Sequence, residues 1–168
     1  MYRHKRLNRK FRHGLLESVY ALSEGLIDTR LLLIQLSVRL SSSTLNRIRL
    51  TLMKKILIVE DHPVLRKALR TQIELMGFTG ITAQNGKDGI ETAIAEKPDL
   101  IMMDSNMPEM DGLAATRILR ATTETKDIAI IAVTAVSDIQ SCIEAGCNDF
   151  LIKPFPIEEL RNKIGALI

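Results

Sequence analysis

Asp104 closes the apolar run Leu100-Ile101-Met102-Met103 and opens the loop Ser105-Asn106-Met107-Pro108-Glu109-Met110-Asp111-Gly112. A carboxylate at the C-terminal end of a buried strand, followed by a loop holding Pro and Gly, sits where open α/β sheets place their ligands. Three further apolar runs end on residues able to do chemistry. Lys55-Ile56-Leu57-Ile58-Val59 runs into Glu60-Asp61, Ile128-Ala129-Ile130-Ile131-Ala132-Val133 into Thr134, and Asp149-Phe150-Leu151-Ile152 into Lys153-Pro154. Brought to one sheet edge, these ends gather three acids, a hydroxyl and an amine. That set suits phosphoryl transfer with a metal ion.

Moving a phosphoryl group requires a nucleophile, neutralisation of the peripheral oxygens and a bridging cation. Asp104 is the expected nucleophile, because a carboxylate can form an acyl phosphate. Glu60 and Asp61 add anionic oxygen beside it. Three such carboxylates repel one another, and a hard divalent cation with oxygen ligands relieves this, with Mg²⁺ the default. Lys153 brings a point positive charge suited to a phosphoryl oxygen or to Asp104 itself. Thr134 offers a hydroxyl to a phosphoryl oxygen. Singly, each has a plainer reading: Asp61 before Pro63 as a helix N-cap, Thr134 as another cap, Lys153-Pro154 as a turn. The joint occurrence at four strand ends, in this order, favours a site.

The elements that must position these residues follow from periodicity. Strand-type runs lie at 55–59, 79–83, 99–103, 128–133 and 149–152, with helical patterns at 63–76, 87–96, 112–121, 137–145 and 156–167. In the first helical pattern Val64, Leu65, Ala68, Leu69, Ile73 and Met76 recur at three- and four-residue steps and predict one apolar stripe. Pro63 suits its first turn and Gly77 its stop. Five such βα units predict an α/β fold, a doubly wound parallel sheet with helices on both faces. The run Thr79-Gly80-Ile81-Thr82-Ala83 is the most polar, which places it at an edge.

The chain of 168 residues, 46% hydrophobic and 26% charged, has the composition of a soluble globular protein. Its net charge of +3 is unevenly spread: residues 1–52 hold ten Lys/Arg against three acids, residues 53–168 thirteen against seventeen. The basic character therefore belongs to the N-terminal segment. That segment reads as a basic cluster, an amphipathic stripe through Leu15, Val19, Leu22 and Leu26, and a Ser41-Ser42-Ser43 break. A membrane-surface or partner-binding arm and a nucleic-acid arm are two readings. The favoured one is a poorly ordered or non-native leader before a natural start at Met53-Lys54-Lys55, which divides the chain into 1–52 and 53–168. No apolar stretch reaches the roughly 18 residues that a membrane span needs. Cys142 and Cys147 match no metal or disulfide spacing and read as small buried thiols of a reducing compartment.

Residues 53–168 resemble the receiver domain of two-component response regulators from end to end. The marks are Ile58-Val59-Glu60-Asp61, Met103-Asp104-Ser105-Asn106-Met107-Pro108 with Met110-Asp111-Gly112, Val133-Thr134-Ala135, and Ala145-Gly146 leading to Lys153-Pro154-Phe155. The resemblance implies a flavodoxin-like five-stranded parallel sheet in order 2-1-3-4-5. It implies that Asp104 accepts phosphate from a sensor histidine kinase or a histidine phosphotransfer protein. It further implies that Asp61, Asp104 and the main-chain carbonyl of Asn106 bind Mg²⁺, with Glu60 acting mostly through water, and that Thr134 and Lys153 contact the phosphoryl group. Phe150 falls at the aromatic switch position, where Tyr is common. His62 falls on the rim and reads as a surface residue.

The expected function is a phosphorylation-activated signalling switch, or a relay that passes the phosphate on. Its output would be a changed face of the fourth helix, fifth strand and fifth helix, offered to a protein partner. The expectation is a cytoplasmic, single-domain protein, monomeric or dimerising on phosphorylation, that binds no nucleic acid and turns over no substrate. The alternative is a Mg²⁺-dependent phosphohydrolase working through an aspartyl phosphate. That class usually has a second acid two residues after its nucleophile, where this chain has Asn106. Neither G-x-G-x-x-G nor G-x-x-x-x-G-K-[ST] occurs, which argues against a nucleotide-binding protein.

Overall fold

A computed structural model describes residues 53–168, and the expectations for residues 1–52 lie outside the described residues. Five strands, β1 (Lys55–Val59), β2 (Thr79–Ala83), β3 (Leu100–Asp104), β4 (Ala129–Thr134) and β5 (Asp149–Ile152), form one parallel sheet in the order β2-β1-β3-β4-β5. The helices between and after them are α1 (Pro63–Leu75), α2 (Gly86–Glu96), α3 (Gly112–Ala121), α4 (Ile139–Ala145) and α5 (Ile157–Leu167). The doubly wound fold and strand order expected from the sequence are those observed. The polar run 79–83 is indeed an edge strand.

Period-2 alternation sorts the strand residues into two cores. Ile56, Ile58, Leu100, Met102, Ile131 and Val133 pack on one face with Ile73 of α1 and Leu160 and Ile164 of α5. Leu57, Val59, Ile101, Met103 and Ile130 pack on the other with Ala93 of α2 and Ala115 and Leu119 of α3. All five residues of β3 are buried, as a central parallel strand requires.

Three local features differ from the sequence reading. β3 and β4 each sit one residue later than expected, so Asp104 and Thr134 are the last residues of their strands. The pattern at 137–145 resolves into a 3₁₀ turn, Val136–Asp138, followed by the seven-residue α4. Asp138, the residue before α4, gives its carboxylate to Asn106 and Ser137 and makes no capping bond. In α1 the apolar stripe is only half buried. Ile73 is in the core and Leu69 and Met76 pack against it, whereas Val64 is 68% and Leu65 46% exposed.

Gly112 is fixed by close approach. A Cβ there would overlap the main-chain carbonyl of Asp104, whereas one at Gly165, on the exposed side of α5, meets nothing within 4 Å. Gly112→Ala is therefore expected to destabilise the protein by about 1–3 kcal/mol. Gly165→Ala is expected to stabilise it by about 0.5–1 kcal/mol. Urea unfolding of the two variants beside the parent chain checks both signs.

Candidate functional site

The strand ends meet along the C-terminal edge of the sheet. Glu60 directly follows β1 and Asp104 ends β3, and the register that pairs Ile58 with Met102 and Val59 with Met103 runs on to bring Glu60 beside Asp104. Both continue the alternation of the face covered by α1 and α5. Both are buried, Glu60 at 2% and Asp104 at 5% exposure. Asp61 follows on the solvent side, and one oxygen from each of the three acids lies within 4.8 Å of the others.

Lys153, just past β5, spans this cluster. Its Nζ donates to Asp104 Oδ2 at 2.7 Å and to Glu60 Oε2 at 3.2 Å. The Asn106 main-chain N–H donates to Asp104 Oδ1 at 3.2 Å, so both Asp104 oxygens are held. Burial pulls the Lys153 ammonium down, but its hydrogen bond to Asp104 and the charges of Asp104 and Glu60 outweigh this and leave it raised. Glu60 is raised for two reasons, burial first and the charge of Asp104 second; Lys153 and the N–H of His62 offset these in part. The acids are thus crowded, and one cation does not neutralise them.

The plainer readings of Asp61 and Thr134 as helix caps fail in a specific way. His62, exposed on the rim as expected, caps α1: its Nδ1 accepts the N–H of Leu65 at 3.4 Å. This leaves the Asp61 carboxylate to the cluster, while the carbonyls of Glu60 and Asp61 accept from the Arg66 guanidinium at 2.6 and 2.9 Å. Thr134 caps no helix. It is 1% exposed, and its Oγ1 accepts from Ser105 Oγ at 2.9 Å. Asp111 caps α3 through the N–H of Ala114, and Gly112 donates to the Ser105 carbonyl, which closes the loop after Asp104. Phe150, on β5, is half-buried with the Lys163 ammonium 5.2 Å from its ring centre; Lys163 also pairs with Asp149 at 2.7 Å. Cys142 is buried and Cys147 half-buried, and both are free thiols.

Lys153, Asp104, Glu60 and Asp61 form one cluster, and Thr134 and Phe150 stand apart from it. The sequence reading did not single out Ser105 or Arg66. The signal for Ser105 is a hydroxyl residue next to Asp104, at the start of the loop that follows β3. Nothing in spacing alone would have matched Arg66 to the β1 end.

A divalent cation fits this donor set. Hard carboxylate oxygens at one sheet edge, with the single ammonium insufficient for all three, form an environment that suits Mg²⁺ better than a softer ion.

Comparison with known proteins gives the same picture. The response regulator receiver domain family matches residues 56–165. The response regulator MprA of Mycolicibacterium vanbaalenii is 35% identical over 117 residues, which are 68% of this chain and 50% of that protein. The DNA-binding dual master transcriptional regulator RpaA of Synechocystis is 34% identical over 69% of this chain and 49% of its own length. The chain thus spans about half the length of the curated relatives it matches. Among solved structures, the receiver domain of the sensor histidine kinase PA1611 of Pseudomonas aeruginosa, with a magnesium ion in its active-site cleft, superposes with a TM-score of 0.65 at 33% identity. The match covers 68% of this chain and 97% of that one. The Vibrio cholerae chemotaxis protein CheY4 superposes with a TM-score of 0.65 at 26% identity, covering 69% and 99%.

The raised Glu60 carboxyl has a testable sign. Its protonated form is favoured in the folded state. Its contribution to stability is therefore fully present below the ordinary value of 4.5 and lost as pH rises through the higher folded value. Without divalent cations, Glu60→Gln should match the parent near pH 4. At pH 7 it should be the more stable by roughly 1 kcal/mol, the scale of one altered buried polar group. Added Mg²⁺ should narrow or reverse that gap. Urea midpoints at the two pH values, with and without Mg²⁺, check the whole pattern. On its sequence, fold and edge cluster together, the chain belongs to the response regulator receiver domain family.

Proposed function

We propose that residues 53–168 are the switching unit, and that Asp104 accepts a phosphoryl group from the phosphohistidine of a sensor histidine kinase or a histidine phosphotransfer protein. The observation that carries this reading is the Asp104 carboxylate, buried and held by Lys153 at 2.7 Å at the end of a central strand. A carboxylate oxygen attacks phosphorus, the P–N bond breaks, and the histidine leaves as an acyl phosphate forms on Asp104. Lys153 is already positioned to pair with the anionic phosphoryl oxygens as charge on Asp104 is redistributed. The Asn106 N–H keeps the carboxylate oriented.

Asp61, Asp104 and the main-chain carbonyl of Asn106 would hold Mg²⁺, with Glu60 behind them. The ion would neutralise the crowded acids and draw the donor's phosphoryl oxygens toward Asp104. The cation in the cleft of the PA1611 receiver domain supports this assignment. Thr134 and Phe150 are the proposed switch residues. Thr134 would shift to the new phosphoryl group, and the Phe150 ring would turn with it. The face of α4, β5 and α5 would change in consequence, and a protein partner would read it.

The output is a surface and a phosphoryl lifetime rather than a released product. Asn106, two residues after the nucleophile, offers no carboxylate for the general acid–base step of a phosphohydrolase. We assign the protein to the cytoplasm, as a monomer or a phosphorylation-dependent dimer. Among the described residues, no helix is long and apolar enough to cross a membrane.

Incubation with Mg²⁺ and acetyl phosphate should place one acid-labile, hydroxylamine-sensitive phosphate on the protein. Asp104→Asn should lower labelling to background. Equal labelling of that variant would remove Asp104 from the role, and rapid multiple turnover of generic phosphomonoesters would favour the hydrolase.

A further inference from the structure

The two sides of the sheet edge hold different chemistry. Glu60 and Asp104 continue the face of Ile56, Ile58, Leu100 and Met102, which α1 and α5 cover. Ser105 and Thr134 continue the opposite face, that of Ile101, Met103 and Ile130. The β3–β4 register pairs Asp104 with Val133 and so sets Ser105 next to Thr134, where their hydroxyl oxygens lie 2.9 Å apart. Both residues are almost fully enclosed, Ser105 at 2% exposure. Thr134 bonds Ser105 there, and its hydroxyl also interacts with the Cys142 thiol of α4. It makes no hydrogen bond to Asp104 among the described residues.

Ser105 cannot follow Thr134 if Thr134 moves. Its N–H donates to the Val133 carbonyl at 3.0 Å and its carbonyl accepts from Gly112 at 3.1 Å, so its backbone is tied on both sides. Among the described residues, Thr134 is the sole hydrogen-bond partner of the Ser105 hydroxyl. Movement of Thr134 toward Asp104 would leave a buried hydroxyl without a partner, which is a penalty on the moved state.

We propose that Ser105 is a positioning residue: its hydroxyl latches Thr134 on the face away from Asp104, and breaking that bond sets a threshold for activation. This rests on the reading of Asp104 as phosphoacceptor and of Thr134 as the residue that moves to the phosphoryl group. An apolar side chain of similar size at position 105 would hold no such latch. The Ser105 hydroxyl therefore lowers the fraction of unphosphorylated protein in the active arrangement.

The test is a double-mutant cycle on the full chain, read by calorimetric titration with beryllofluoride at saturating Mg²⁺. Ser105→Ala should bind this phosphoryl mimic about fivefold more tightly than the parent, the effect of one net hydrogen bond. In a Thr134→Ala background, the same change at Ser105 should have no effect, because nothing remains to latch. Equal affinity of Ser105→Ala and the parent would overturn the latch, as would weaker binding. An undiminished Ser105 effect without Thr134 would overturn it too, since Ser105 would then act through packing alone. Phosphate labelling of Asp104 in the parent separates the two levels. Labelling with no Ser105 effect removes the latch and leaves the phosphoacceptor reading, whereas absence of labelling removes both.

Discussion

Two buried carboxylates beside each other, with a third acid at the rim and one ammonium across them, form the constraint on which the rest of the structure depends. Isolated burial of Glu60 or Asp104 would be costly, and placing them side by side adds repulsion. Lys153 offsets part of this through bonds of 2.7 and 3.2 Å, yet burial and the charge of Asp104 still leave the Glu60 carboxyl raised. Such a cluster favours whatever brings further positive charge or spreads the negative charge. A divalent cation does the first. The imbalance of charge thus makes the edge receptive to one.

The sheet supplies the precision. Parallel strands in the order β2-β1-β3-β4-β5 align their C-terminal ends, so residues distant in sequence become neighbours without any long loop. Lys153 reaches Asp104 and Glu60 because β5 stands two strands from β3, with its backbone N–H fastened to the Thr134 carbonyl at 2.9 Å. Alternation divides the chemistry between faces. The acids lie with α1 and α5, whereas Thr134 lies with α2 and α3 in the arrangement described. As the proposed switch residue, Thr134 would have two discrete positions, one on each side of the sheet, the property that a two-state device requires.

Much of this was legible in the amino-acid sequence, for identifiable reasons. Strand-type runs ending in Glu60-Asp61, Asp104, Thr134 and Lys153 mark the parallel sheet and its functional edge, because interior parallel strands are continuously apolar and chemistry begins where they stop, while the strand order rests on the family resemblance. Side-chain direction at the strand ends was harder to read. A one-residue shift in β3 and β4 put Asp104 and Thr134 inside their strands, and only the register then shows that they lie on opposite faces. His62 illustrates a second limit: spacing made Asp61 a plausible cap for α1, but the imidazole next to it takes that role and frees the acid. The half-exposed stripe of α1 illustrates a third. Periodicity names an apolar face, yet how much of it is covered is decided by packing, which buries Ile73 and leaves Val64 and Leu65 exposed.

The central claim is that Asp104 carries the phosphoryl group, that Lys153 pairs with it, and that Thr134 crosses to it. A crystal structure with Mg²⁺ and beryllofluoride tests all three at once. The account predicts beryllium bonded to an Asp104 oxygen and fluorides held by Lys153 Nζ and Thr134 Oγ1. It also predicts Mg²⁺ on Asp61 and Asp104, with the Ser105–Thr134 bond broken. Beryllofluoride bound elsewhere, or bound to Asp104 with Thr134 still on Ser105, would contradict it.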